Sequence, residues 1–266
     1  MDITIGQYFP KNSLIHRLDP RTKLLAVIFY MVMIFVSKNT YSFLVSGLLM
    51  VSVIALSKIP FRYYFKGLKP ILIIMIFTSM LNLFLSGGEV IYEIPYLGWT
   101  ITDEGLRLSV FMVLRLSFLI IGTSALTFTT SPVTLTDGME ALLRPFSKIG
   151  VPSHEIAMMM TIALRFIPTF AEEADKIKKA QSARGADFSS GSLLSRAKAM
   201  IPILVPLFVG AFRRADELAV AMEARCYRGG SGRTSLKKLS FALRDYLSFT
   251  LIILLLTGVI LLEIFL

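Results

Sequence analysis

The chain has 266 residues, 55% of them hydrophobic, a mean hydropathy of +0.68 and a net charge of +10. That is too apolar for an ordinary soluble domain and calls for several membrane spans. The single cysteine, Cys226, excludes an internal disulfide and any cysteine metal cluster. The positive charge reads as cytoplasmic loops held against anionic lipid, not as nucleic-acid binding, because the aromatics lie mostly in the apolar runs rather than among the cations.

Apolar runs fall at about 24–36, 41–56, 70–85, 106–129 and 246–266. The last is the clearest span, with one acid in 21 residues. The first barely reaches two-thirds of a hydrocarbon layer of about 30 Å. Runs one and two therefore form either a tight spanning hairpin or a partly re-entrant pair, and two spans are favoured. The first run lacks a small-x-small cleavage site and leads straight into the second, so a secretory signal is not expected.

Charge sets the orientation. Lys11, Arg17, Arg21 and Lys23 precede the first run, and Lys58, Arg62, Lys66 and Lys69 lie between runs two and three. The stretch 87–105 carries Glu89, Glu93, Asp103 and Glu104 and no Lys or Arg. The positive-inside rule puts the N-terminus inside and the acidic loop outside, with Tyr92, Tyr96 and Trp99 as interfacial anchors. Four spans return the chain to the cytoplasm near Thr130, and a fifth leaves the C-terminus outside.

The insert 131–245 holds 17 of the 28 basic and 11 of the 18 acidic residues. It is strongly periodic. Ile156, Met160, Ala163, Ile167, Phe170, Ala174 and Ile177 mark a helix that starts after Pro152 and ends at Gly185. A second helix runs from about 193 to 227 with Leu194, Ala197, Ile201, Leu204, Phe208, Phe212, Ala215, Leu218 and Met222 on one stripe, followed by Gly229 and Gly230. A shorter helix, about 135–149, precedes both. Pro168, Pro202 and Pro206 should kink the long helices. These are too amphipathic to cross lipid and too apolar to stand alone in water, so they belong at the inner face. The expected fold is an all-α integral membrane protein: 1–130 with about four spans, 131–245 as a cytoplasmic platform of long amphipathic helices, and 246–266 as the last span.

The two long helices end alike. Counted back from Arg184 and Arg225, both have Ala one residue before (Ala183, Ala224), Ala four before (Ala180, Ala221), Asp nine before (Asp175, Asp216) and Ala ten before (Ala174, Ala215). A single arginine at a helix C-terminus is ordinarily a complement to the helix dipole. A pattern kept only at two tips instead suggests two similar sockets. The alanines let a tip enter a narrow groove, and each arginine presents a rigid donor fork to carboxylates or carbonyls. A partner with two such sites resembles a dimer of related subunits. The small-residue stripe Ala211, Ala215 and Ala219 would suit close helix crossing.

Arg115 lies inside the fourth run. It contacts another membrane subunit or is paired within the bundle, two readings of equal weight. His154 has no second ligand at metal spacing. No phosphate-binding loop and no nucleophile elbow occur, so an enzyme is not expected.

Three stretches resemble a known family: "HRLDPRTKLL" (residues 16–25), "LTFTTSPVTLTDGMEALLRPFSKIGVP" (126–152), and "ALRFIPTFAEEADKIKKAQSARGADF" (163–188) with the later "MEARCYRGG" (222–230). They are similar to the transmembrane coupling subunit, component T, of energy-coupling factor (ECF) transporters. The resemblance implies two homologous cytoplasmic ABC ATPases and a small membrane protein that binds a vitamin or metal ion as partners. It implies that ATP and Mg are bound by those ATPases and that this chain has no cofactor of its own. It places ATPase docking on Ala183, Arg184 and Gly185 and on Ala224, Arg225 and Cys226, where Cys226 departs from the usual Gly. A conventional ABC importer permease is the runner-up, and a lipid-modifying membrane enzyme ranks below it.

Overall fold

The structure is a computed structural model and describes residues 8–94, 99–188, 190, 192–229 and 239–265. Tyr96, Gly230 and Leu266 lie outside the described residues. The elements are α1 (Pro20–Val36), α2 (Thr40–Ser57), α3 (Phe61–Leu68), a 3₁₀ turn (Lys69–Ile71), α4 (Leu72–Leu85), β1 (Val90–Ile94), β2 (Trp99–Thr102), α5 (Asp103–Thr129), α6 (Pro132–Leu143), a second 3₁₀ stretch (Arg144–Ile149), α7 (Ser153–Ala183), α8 (Leu193–Ala224) and α9 (Leu243–Phe265). The chain divides into two compact units, one of Gly6–Ala141 with Leu239–Leu266 and one containing Leu142–Lys238. The boundaries thus fall inside the 131–245 insert, because α6 packs on the start of α1: a Cβ on Gly138 would stand 3.0 Å from Pro20 Cβ.

In the first unit α1 packs against α2, α5 and α9 and leaves Ile28, Val32 and Phe35 exposed. Tyr30, Met33 and Ile34 of α1 bury against Ile252 and Val259 of α9. Ile54 of α2, Ile59 and Tyr64 bury against Ile121, Ala125 and Phe128 of α5. The closest approach is at Gly122, where a Cβ would overlap the Tyr30 ring. Outward faces are apolar: Ile73, Ile76 and Phe77 of α4 and Leu247, Leu254 and Ile264 of α9 are exposed, as lipid-facing side chains are.

Two carboxylates tie α1 to α9. Asp245, fully buried at the start of α9, accepts from the Asp19 and Ala242 N–H groups at 2.7 and 2.8 Å. Glu263, near the end of α9, accepts from the Lys38 and Asn39 N–H groups at 2.8 and 2.9 Å, at the start of α2. Residue 19 with 245, and 38 with 263, make α1 and α9 parallel. The eighteen residue steps from Asp245 to Glu263 span about 27 Å at 1.5 Å each, close to a hydrocarbon layer.

The same end of the unit also holds the end of α5. Lys23 Nζ donates to the Thr129 carbonyl at 2.9 Å, the Thr130 hydroxyl at 3.3 Å and the His16 carbonyl at 3.3 Å. The chain leaves α5 and enters α9 beside one segment, residues 16–23. The end of α5 and the start of α9 therefore lie at the same end of this unit.

Several expectations are refined. Among the described residues, five helical runs are long and apolar enough to cross a membrane: Thr40–Ser57, Phe61–Leu85, Asp103–Thr129, Leu194–Ala224 and Leu243–Phe265. The set gains α8, whose first half is rich in Ile, Leu, Val and Phe, and lacks the 17-residue α1. The basic stretch before the third run is helix α3 with Tyr64 buried, not a loop. The acidic loop forms an antiparallel hairpin, β1 with β2. The helix foreseen over 135–149 tightens to 3₁₀ after Leu143, where Pro145 lacks a donor.

Candidate functional site

Both tips of the long helices close with the same turn. At the end of α7, Gly185 N–H donates to the Ser182 carbonyl at 3.0 Å and Ala186 N–H to the Gln181 carbonyl at 3.0 Å. At the end of α8, Cys226 N–H donates to the Glu223 carbonyl at 2.8 Å and Tyr227 N–H to the Met222 carbonyl at 3.0 Å. This pair of bonds is the Schellman cap, which needs a left-handed residue just past the helix. Gly185 has φ +88° and Cys226 φ +56°. The cysteine therefore adopts the conformation glycine favours, and the second turn survives the substitution. The backbone bonds outweigh a steric cost of about 1–2 kcal/mol for a side chain in this region.

Arg184 and Arg225 are the cap residues, with φ −88° and −94°. Both are exposed, as are Ala183, Gly185, Ala224 and Cys226. The six residues singled out from sequence are thus brought into two equivalent sets of three, each with one guanidinium flanked by small residues. Two exposed forks on matching turns can meet two matching anionic or carbonyl-lined grooves; neither set contains an acid, base or nucleophile arranged for chemistry.

Between the tips, α7 and α8 meet through residues that sequence reading passed over. Arg214 donates to Glu173 Oε2 at 2.7 Å, and its guanidinium lies 5.3 Å from the Phe170 ring centre. A Cβ on Gly210 would stand 3.3 Å from Glu173 Oε1. The close approach falls at Gly210, one residue before the stripe Ala211, Ala215 and Ala219. The signal was present: Glu173 and Arg214 are 41 positions apart, the offset that relates the two tips.

Arg115 is paired within the bundle. Its Nη2 donates to the Ser37 carbonyl at 2.7 Å, at the C-terminus of α1, where the helix dipole favours a cation. It also lies 5.6 Å from the Phe43 ring centre.

Residues 11–236 match the family described as CbiQ, Cobalt transport protein. The chain belongs to this family. Curated relatives carry one name, Energy-coupling factor transporter transmembrane protein EcfT. The protein of Thermosediminibacter oceani is 57% identical over 248 residues, which cover 93% of each chain. That of Clostridium kluyveri is 56% identical over 93% of this chain and 92% of its own, and that of Bacillus subtilis 49% identical over 91% of each. The resemblance carried by residues 16–25, 126–152, 163–188 and 222–230 is borne out, and this CbiQ-family chain stands among the transmembrane components of energy-coupling factor transporters. Its relatives are named as transporter components, not enzymes. Family and apolar helices together make it a multi-pass membrane protein.

Proposed function

We propose that this chain couples two homologous cytoplasmic ATPases to a separate substrate-binding membrane protein, in an importer for a micronutrient, a vitamin or a metal ion. The observation that carries the reading is the pair of identical turns presenting Arg184 and Arg225. Each tip, Ala183–Arg184–Gly185 and Ala224–Arg225–Cys226, enters a groove on one ATPase. ATP and Mg bind to the ATPases, whose closure moves the tips, and α7 and α8 pass that movement to the membrane partner.

Three observations support it. The end of α5 and the start of α9 lie at the same end of the first unit, and the basic flanks of α1 and of α3 support a cytoplasmic side there, with the N-terminus inside. Ile201, Leu204, Phe208 and Phe212 of α8 and Met159 of α7 are exposed, an apolar and adaptable surface for a partner that binds, moves and releases. The family description names cobalt transport, which fits a metal ion as one class of cargo.

The test is charge reversal at the tips. Breaking a hydrogen-bonded charge pair at an interface costs about 2–5 kcal/mol. Arg184→Glu and Arg225→Glu should each weaken co-purification of the ATPases and, combined, abolish uptake. If the double variant retains both ATPases and full uptake, the coupling role is wrong.

A further inference from the structure

The crossing of α7 and α8 has a symmetry that the tips alone do not reveal. In two elements related by a two-fold axis, a residue on the axis meets its own equivalent. Glu173 and Arg214 are equivalents under the 41-residue offset that relates Arg184 to Arg225, Ala183 to Ala224 and Asp175 to Asp216. They are also the two residues that meet, at 2.7 Å. Arg184 lies eleven residues beyond Glu173, and Arg225 eleven beyond Arg214, so both arms measure about 16 Å. A symmetric dimer of one helix would set identical residues, and so like charges, against each other on this axis. Two helices in one chain are free to place an acid opposite a base.

We infer that the Glu173–Arg214 pair is the fulcrum of a pseudo-two-fold crossed helix pair, holding the crossing of α7 and α8 equidistant from the two tips. The pair is a positioning device and touches neither nucleotide nor cargo. Gly210 brings the α8 backbone down on Glu173, and the Phe170 ring centre lies 5.3 Å from the Arg214 guanidinium, so the ion pair has neighbours on two sides. Its side chains are about a third exposed, 30% for Glu173 and 32% for Arg214. With the crossing fixed there, the tip-to-tip distance follows from one angle, and equal arms let a two-fold ATPase pair load both tips alike. This inference rests on the coupling role proposed above.

The experiment uses the complete transporter in lipid vesicles, in a Cys226→Gly background, with spin labels at Lys178→Cys and Ala219→Cys. These are exposed, equivalent positions on the two arms. Glu173→Arg and Arg214→Glu each set like charges at the crossing. Each should broaden the label-to-label distance distribution and lower cargo moved per ATP on the order of tenfold, while ATPases still co-purify. The double swap, Glu173→Arg with Arg214→Glu, should restore both readouts, which a misfolded single variant could not explain. Unchanged distances and yield per ATP in the single variants, or no recovery in the double swap, overturn the fulcrum. If the parent chain brings down no ATPases, the coupling role falls instead, and the distances measured on this chain alone still decide the fulcrum.

Discussion

Removing the Asp245 carboxylate should be the most destabilising single change in the membrane unit. Asp245 is 2% exposed and accepts from two backbone N–H groups, the buried one of Asp19 and the half-buried one of Ala242. Its negative charge also acts on the buried Lys23 ammonium. Asp245→Ala strands both donors and leaves the lysine with less compensation. Breaking a buried charged contact of this kind costs about 3–5 kcal/mol, and Asp245→Asn, which keeps one acceptor oxygen, about half that. The clamp at the other end gives an internal comparison. Glu263 receives two backbone N–H groups and the Asn39 side-chain amide but is half-buried, so Glu263→Ala should cost only about 1–2 kcal/mol. For a chain of this size about 4 kcal/mol lowers the melting temperature by roughly 10 °C. Thermal unfolding in detergent, followed by tryptophan emission at one scan rate, reads the order Asp245→Ala, Asp245→Asn, Glu263→Ala. If Asp245→Ala melts within a degree of the parent, or Glu263→Ala falls further than it, the account of the clamps is wrong.

Cys226→Gly should raise stability by several tenths to about 1 kcal/mol, since Cys226 holds φ +56°, and Gly185→Ala should lower it by a similar amount; the melting temperature of each variant checks the opposite signs. Gly122→Ala should cost about 1–3 kcal/mol because its methyl group overlaps the Tyr30 ring, and unchanged melting would refute the contact. Burial, aided by the nearby Lys23 and Lys11 charges and opposed by the bond to the Phe9 carbonyl, holds the His16 pKa below its usual 6.5. The folded protein thus binds this proton less readily than the unfolded chain, so stability is full above pH 6.5 and falls as pH drops below it. Melting between pH 7 and about pH 5 should show a slope that His16→Gln reduces; an equal slope in the variant counts against it.

The tips were legible because a repeat is a comparison internal to the sequence. Five matched positions named both, and at Cys226, which departs from the usual Gly, two backbone hydrogen bonds hold the left-handed turn against the side chain's preference. The clamps were not legible, because Asp245 and Glu263 bond to backbone N–H groups 226 and 225 positions away, and backbone partners leave no residue pattern. Arg115 escaped for the same reason: a search for an acid could not find the Ser37 carbonyl. Glu173 and Arg214 were hidden by chemistry, since a repeat is sought as identity and these equivalents have opposite charges. The apolar α8 satisfies the length and composition of a span, which its amphipathic stripe had hidden.

The two clamps have a consequence for the surrounding lipid. They hold α1, about 25 Å long, at the same depth as its longer neighbour α9, whereas the 27-residue α5 reaches about 40 Å. The wall of this protein is therefore lower on its α1 flank than where α5 and the 25-residue run Phe61–Leu85 stand. Acyl chains beside the low flank must shorten or tilt, at fractions of a kcal/mol for each ångström of mismatch. Activity should accordingly favour bilayers of shorter-chain lipids, whose thickness matches the clamp spacing without strain.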